Sequence, residues 1–119
     1  MPHRPRCISI TDVQKAVARA FRLSIAEMLS RKRCRPIASA RQVAMYLSRE
    51  LAGGGRERRA VASFPRIGLA FARDHSSVIH ACSVVERRRQ SDGGLAEILE
   101  AIEGELTSAR TSAELESEI

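Results

Sequence analysis

Apolar residues recur at helical spacing along most of this chain, and polar or glycine-rich stretches separate the repeats. The spacing predicts a first helix over 11–22, with Thr11 able to cap its first turn. Ser24 and Glu27 form an S-x-x-E capping box, which marks a short second helix. A third, longer helix is predicted over 39–52, so the first half of the chain is expected to be all-α.

The second half resumes the helical pattern after a glycine-rich interruption at 52–62. Ser63 caps a short helix with Pro65 in its first turn, where the missing N–H costs nothing. Gly68 would allow a neighbouring helix to approach closely, and the next helix begins at Asp74, a preferred N-cap residue. Two helices joined by so tight a turn predict a helix-turn-helix, whose second helix presents its N-terminal residues to base edges in the major groove of DNA.

Composition agrees with one small helical domain. The chain has 119 residues, 44% of them hydrophobic, which is enough for a single modest core. Aromatic residues make up only 3% and Trp is absent, which favours packed helices over a sheet. We expect a flexible N-terminus at 1–9, a body at 10–90 with a flexible basic insert at 52–62, and an acidic helix and tail at 91–119.

Charge is distributed unevenly along the chain. Residues 1–90 hold 19 Lys and Arg against 6 Asp and Glu, a net of +13, whereas residues 91–119 hold one Arg against 8 acidic residues, a net of −7. Arg outnumbers Lys, and guanidinium groups pair bidentately with phosphate oxygens, so nucleic acid is the favoured partner. Neither a signal peptide nor an apolar run near the roughly 18 residues of a membrane span is visible, which predicts a cytoplasmic, nucleoid-associated protein without a membrane partner.

The acidic end contains a further apolar stripe at helical spacing, formed by Leu95, Ile98, Leu99, Ile102 and Leu106. A helix over 95–106 must bury this stripe, and two interpretations stay open. It packs onto the domain's own core, or it pairs with a second copy in a homodimer that would bind paired sites with higher avidity. The end after 107 is expected to be mobile and to shield the basic face at low salt.

Several kinds of chemistry are disfavoured by spacing. Cys7, Cys34 and Cys82 lack any C-x-x-C pattern, so they are interpreted as reduced, structural thiols. His75 and His80 are five residues apart and cannot share a metal as an i, i+4 pair could. No G-x-x-x-x-G-K-[ST] motif is present, so we expect no bound nucleotide. The spacing of the Cys and His residues and the lack of a Ser-His-Asp arrangement lead us to expect no metal, no cofactor and no enzymatic activity.

Two polar segments are candidates for DNA contact. The run SRKRCRP at 30–36 is either a solvated connector or an arm that contacts phosphates or the minor groove. The cluster Asp74, His75, Ser76 and Ser77 either reads base edges from the first turn of a recognition helix or only caps and solvates it. Spacing alone does not separate these alternatives.

Two longer blocks resemble a known family. SRKRCRPIASARQVAMYLSREL and SFPRIGLAFARDHSSVIHA, in this order, resemble the C-terminal DNA-binding domain, domain IV, of the bacterial replication initiator DnaA, over about residues 8–90. The resemblance implies an all-α helical bundle containing a helix-turn-helix, related to the Trp-repressor group. It also implies binding of double-stranded DNA at short, non-palindromic boxes of the TTATNCACA type by one protomer.

The resemblance assigns roles to individual positions. Arg33 would enter the minor groove, and the residues that would read the major groove are Asp74, His75, Ser76 and Ser77. The positions matching those at or near the phosphate backbone are Arg41, Gln42, Arg49, Ser63, Phe64, Pro65, Arg73 and His80. Further candidates for backbone contacts, from the basic run, are Arg31, Lys32 and Arg35.

The chain departs from the family in three respects. The insert around 53–59 is longer than usual, FARDHSSV is one residue shorter than the common F-G-G-R-D-H-T-T-V form, and the initiator's ATPase module has no counterpart. We therefore expect a stand-alone regulator of transcription or of replication initiation without its own ATPase. The alternatives are a protein-binding adaptor that contacts the initiator or another protein, and a fragment of a full initiator, which the Met1 start and the tail disfavour.

Overall fold

The computed structural model of the chain describes residues 8–52 and 63–117, with side chains up to residue 107. Most of the predicted N-terminal segment 1–9, at 1–7, and most of the predicted basic insert 52–62, at 53–62, lie outside the described residues. Within the described part all regular structure is helical, which confirms the all-α prediction. The helices are α1 (Ile10–Phe21), α2 (Ile25–Leu29), α3 (Arg35–Leu51), α4 (Phe64–Phe71), α5 (His75–Ser91) and α6 (Gly93–Ser117).

The start of α1 differs from the sequence prediction. Ser9 is its N-cap: the Ser9 hydroxyl accepts from the Asp12 N–H at 3.0 Å, and the Asp12 carboxylate accepts from the Ser9 N–H at 3.0 Å. Thr11 and Gln14 also fit the capping-box pattern, but the Gln14 amide donates instead to the Ala70 carbonyl at 3.2 Å, so the box forms at Ser9 and Asp12. The expected flexible segment also ends earlier than residue 9, because Ile8 is buried in the core.

The second capping box is confirmed, and α3 is longer than predicted. The Ser24 hydroxyl accepts from the Glu27 N–H at 3.0 Å, as the S-x-x-E pattern indicates. Helix α3 begins at Arg35, four residues before the predicted start, because Pro36 lies in the first turn, where its missing N–H needs no partner. The basic loop therefore ends at Cys34.

Helix α3 is central in the fold. It packs against α1, α2, α4 and α5, while α6 packs against α1 and α5. The largest fully buried side chains come from α3 and from each of the other five helices, so every described helix contributes to one core. These side chains are Val13, Val17, Met28, Val43, Leu47, Ile67, Phe71, Val78, Val85, Leu99 and Ile102.

Helix α6 belongs to the same core. Leu95, Leu99, Ile102 and Leu106 are buried in it, while Ile98, from the same predicted stripe, is 39% exposed. The stripe is thus used within the chain, as the first of the two interpretations expects. The backbone of α6 is helical to Ser117, and the mobility of the end after residue 107 stays a prediction.

Polar contacts fix α6 against the body. The Arg89 guanidinium donates to both carboxylate oxygens of Glu103, at 2.6 and 3.1 Å, and to the Tyr46 hydroxyl at 3.2 Å. These hydrogen bonds, with Glu103 contributing most, raise the pKa of Arg89 above its ordinary value. Arg19 and Glu105 form a second, more exposed ion pair between α1 and α6. The acidic tail segment therefore neutralises part of the basic body through specific pairs.

Candidate nucleic-acid interface

The turn between α4 and α5 is held by backbone contacts. Helix α4 starts at its predicted cap, since the Ser63 hydroxyl accepts from the Arg66 N–H at 3.3 Å. It ends at Ala72, which has left-handed backbone angles (φ 53°), and the Arg73 N–H donates to the Gly68 carbonyl at 2.9 Å. A Cβ on Gly68 would lie 2.5 Å from the Arg73 carbonyl oxygen, so Gly68 permits this close approach. The predicted helix-turn-helix is present.

The first turn of α5 presents polar side chains to solvent. Asp74 occupies the N-cap position, yet its side chain forms no cap hydrogen bond. Its carboxylate instead accepts from the Ser76 hydroxyl, and its Oδ1 lies 3.6 Å from His75 Nδ1. The hydrogen bond from Ser76 lowers the pKa of Asp74, with a smaller contribution from His75. The carboxylate is therefore an ionised hydrogen-bond acceptor at neutral pH, which is the form that could accept from a cytosine amino group.

The basic loop at 30–34 exposes its cations and is supported from beneath by Arg41. The three cations Arg31, Lys32 and Arg33 are all exposed. Arg41 is only 9% exposed, and its guanidinium donates to the carbonyls of Met28 at 2.9 Å, of Lys32 at 3.0 Å and of Ser30. The resemblance implies that Arg41 lies at or near the phosphate backbone. In the structure its hydrogen bonds end on backbone carbonyls of the loop and of the preceding helix α2.

Arg73, in the turn between α4 and α5, also donates hydrogen bonds to backbone carbonyls. It is half-buried, and its Nη1 donates to the carbonyls of Phe71 at 3.2 Å and Ala72 at 3.1 Å. Its Nη2 donates to the Ser30 carbonyl at 2.8 Å, which joins the turn to the basic loop. Burial, followed by the positive charge of Arg73, lowers the pKa of Arg41 from its ordinary value.

Two adjoining surface depressions flank this arginine pair. The first is lined by Arg41, Gln42, Met45, Arg73, Ser76, Ser77, His80 and Ala81. The second is lined by Arg31, Arg33, Arg41, Ala72, Arg73 and Asp74. The fold thus brings the basic loop and the first turn of α5 onto one surface, although they are separated by about forty residues in the chain.

The other predicted contact residues lie at the junction of α3 and α4. The Arg49 guanidinium stacks on the half-buried Phe64 ring, 4.4 Å from its centroid, which is a favourable cation–π distance. Ser63 is used as the cap of α4, and Pro65 is exposed in the first turn. These four residues line neither depression. Arg35, in the first turn of α3, is exposed.

Sequence reasoning missed one exposed apolar residue of α5. Ile79 is 45% exposed and lies four residues after His75, so the two side chains are neighbours on the helix surface. The available signal was its position outside the buried stripe of Val78, Ala81 and Val85. An exposed apolar group next to polar readers can contact a thymine methyl.

The described part of the chain contains neither a membrane-spanning helix nor a cluster of metal-ligating side chains. None of its helices has the length and apolar character that crossing a membrane requires. Among these same residues, no three His, Cys, Asp or Glu side chains come together in a group that could hold a metal ion.

The fold and the exposed turn of α5 define a helix-turn-helix protein of the DNA-binding class. Residues 10–85 match the family model described as bacterial dnaA protein helix-turn-helix. The chain is 45% identical over 94 residues to the chromosomal replication initiator protein DnaA of Methylobacillus flagellatus, a match that covers 78% of this chain and 18% of that protein. It is 44% identical over 90 residues to the corresponding protein of Acinetobacter baylyi, covering 75% and 18% of the two chains.

The chain therefore belongs to the DnaA helix-turn-helix family, a class of DNA-binding domain. The aligned part is only 18% of the length of the curated relatives that it matches.

Proposed function

We propose that this protein binds double-stranded DNA sequence-specifically, at short boxes of the type that the DnaA resemblance implies. In this proposal it regulates transcription or replication initiation and has neither an ATPase nor any other enzymatic activity of its own. The observation that carries the proposal is the shared surface of the basic loop at 30–34 and the first turn of α5. The basic loop and the first turn of α5 could therefore contact the same stretch of DNA, each in a different groove.

The first turn of α5 is suited to the major groove. His75, Ser76 and Ser77 are exposed beside the ionised Asp74, so hydrogen-bond donors and acceptors are both available to base edges. A helix N-terminus that enters the groove in this way is the usual arrangement of a helix-turn-helix. The proposal assigns base recognition to this turn.

The basic loop is suited to the minor groove and the phosphates. Arg33 is exposed on a loop whose backbone is supported by Arg41, and narrow A·T-rich minor grooves attract an inserted arginine. Arg31 and Lys32 are exposed beside it and add phosphate attraction. Because the α6 stripe is buried within the chain, the proposal uses one protomer for each box.

The test is binding to a fluorescent duplex that contains the box, compared with a scrambled duplex of the same composition. Specific binding should be tighter by roughly 10³-fold or more. His75→Ala should cost about 1–3 kcal/mol on the box and leave binding to the scrambled duplex nearly unchanged. Gln90→Ala, exposed at the far end of α5, is the matched control and should behave as wild type. If His75→Ala prefers the box over the scrambled duplex as strongly as wild type does, the assignment of base recognition to α5 is wrong.

A protein-binding adaptor is the second candidate, favoured by Leu69, which is 84% exposed on α4. Salt dependence separates the two candidates. Phosphate contacts release counterions, so the affinity for DNA should fall steeply and linearly on a logarithmic salt scale. An apolar protein interface lacks this dependence. Salt-insensitive binding to a purified initiator, lost in Leu69→Ser, together with no preference for the box, would favour the adaptor.

A further inference from the structure

Two guanidinium groups from different elements meet on one carbonyl oxygen. Arg41 Nη2, from α3, and Arg73 Nη2, from the helix-turn-helix, both donate to the Ser30 carbonyl, the latter at 2.8 Å. Ser30 is the first residue of the basic loop, and its hydroxyl donates to the Glu27 carbonyl at 2.6 Å. The start of the loop is therefore fixed from three sides.

Each of the two arginines is itself anchored to backbone. Arg73 Nη1 donates to Phe71 and Ala72, so the guanidinium is fixed to the turn that precedes α5. Arg41 Nε and Nη2 donate to Met28 and Lys32, which lie on either side of Ser30. A planar guanidinium can contact several carbonyls in this way, whereas the point charge of a lysine ammonium cannot span them.

The arrangement persists despite electrostatic repulsion. Arg41 and Arg73 carry like charges, and Arg41 is largely removed from water, so their approach is unfavourable unless the carbonyl oxygens compensate. The compensation lies in the hydrogen bonds themselves, which end on carbonyls of the loop, of the turn and of the last residues of α2 and α4 beside them. The pair is thus placed to determine the distance between these two segments.

We propose that Arg73, acting with Arg41, is a positioning residue that fixes the basic loop relative to the first turn of α5, so that minor-groove and major-groove recognition are coupled. The inference rests on the proposed function and adds to it a determinant of specificity for the sequence flanking the box. Without the hydrogen bonds from Arg73, the loop would become ordered only when DNA binds. The entropy cost of that ordering would cancel the loop's contribution to affinity, while base recognition by α5 would remain.

The test compares wild type with Arg73→Lys on two duplexes that share the box and differ in an A·T-rich or a G·C-rich flank. Lysine keeps the charge and loses the span between Phe71, Ala72 and Ser30. We expect wild type to prefer the A·T-rich flank roughly tenfold and Arg73→Lys to prefer it only about twofold, with an unchanged salt slope. Arg87→Lys, the same substitution at an exposed position about three turns further along α5, should retain the full preference.

A double-mutant cycle with Arg33→Ala decides between positioning and independent phosphate contact. If Arg73 acts through the loop, adding Arg73→Lys to Arg33→Ala should reduce the flank preference no further. Additive losses, or an equal loss of affinity on both flanks in Arg73→Lys, would overturn the proposal.

A measurement on the free protein separates this inference from the proposed function. Backbone ¹⁵N relaxation should show residues 31–34 more mobile in Arg73→Lys than in wild type and Arg87→Lys, whether or not any duplex is preferred. If wild type shows no box preference but the loop loosens, the proposed function fails and the positioning role stands. An unchanged loop would overturn the positioning role.

Discussion

Replacing Arg41 by Met is the most direct test of the internal role that the structure gives this arginine. Arg41 is 9% exposed, and its guanidinium donates to the carbonyls of Met28, Ser30 and Lys32. Methionine has a similar reach and fills the same apolar surroundings, but it has no donor. The substitution therefore removes the hydrogen bonds with little change in packing.

The expected loss follows from which carbonyls keep a partner. The Ser30 carbonyl retains its hydrogen bond from Arg73, whereas Met28 and Lys32 lose the donor from residue 41. A hydrogen bond to a charged group contributes about 1.5–3 kcal/mol, and removing the buried charge restores part of this by sparing its desolvation. We expect a net destabilisation of about 2–3 kcal/mol, equivalent to roughly 10 °C in a domain of this size.

Urea unfolding followed by far-UV circular dichroism measures the free energy of unfolding. Arg35→Met is the control, because Arg35 is exposed on the same helix, and it should stay within about 0.5 kcal/mol of wild type. A stability of Arg41→Met equal to that of the control, combined with a salt slope for DNA reduced by about one contact, would refute the internal role. It would instead support the phosphate contact that the family resemblance implies.

Three further predictions concern side chains elsewhere. Ser48 is fully buried in α3, and its hydroxyl has no hydrogen-bond partner among the described residues. Ser48→Ala should therefore raise the free energy of unfolding, measured by urea denaturation, by about 1 kcal/mol. A lower free energy of unfolding would show that the hydroxyl has a hydrogen-bond partner. The hydrogen bond from Ser76 lowers the pKa of Asp74 from its ordinary value of 3.8, so the Asp74 carboxyl, followed by NMR, should titrate below that value and less far below it in Ser76→Ala. A wild-type midpoint at or above 3.8 would contradict this. Burial raises the pKa of the Cys82 thiol to about 11, whereas Cys34 is exposed. Iodoacetamide at pH 8 should therefore label Cys34 well before Cys82, as measured by peptide mapping. Equal labelling rates of the two thiols in the folded protein would contradict this.

The sequence by itself determined the helical fold and much of its local detail. Helical periodicity and caps are local properties, so the capping box of Ser24 and Glu27, the cap at Ser63 and the turn next to Gly68 were all predicted and are all present. The motifs around Arg73 and Asp74 also identified the family, because they are specific and close together in the chain.

Local pattern was ambiguous where two neighbouring signals compete. Thr11 and Ser9 can both cap a helix, and only the reciprocal bond with Asp12 selects Ser9. The pattern around Pro36 is typical of the end of a loop, yet proline is equally suited to the first turn of a helix, which is where it lies in α3.

Only the tertiary structure decided what the arginines do. The family resemblance implies that Arg41 and Arg73 are among the DNA contacts, but nothing in the sequence shows that both donate to the Ser30 carbonyl. The bond from Arg73 joins residues 43 positions apart, and that from Arg41 joins residues 11 apart. Whether a guanidinium can contact a phosphate or a backbone carbonyl depends on how deeply the packed helices bury it. The depth of burial is determined by the packing of the whole core.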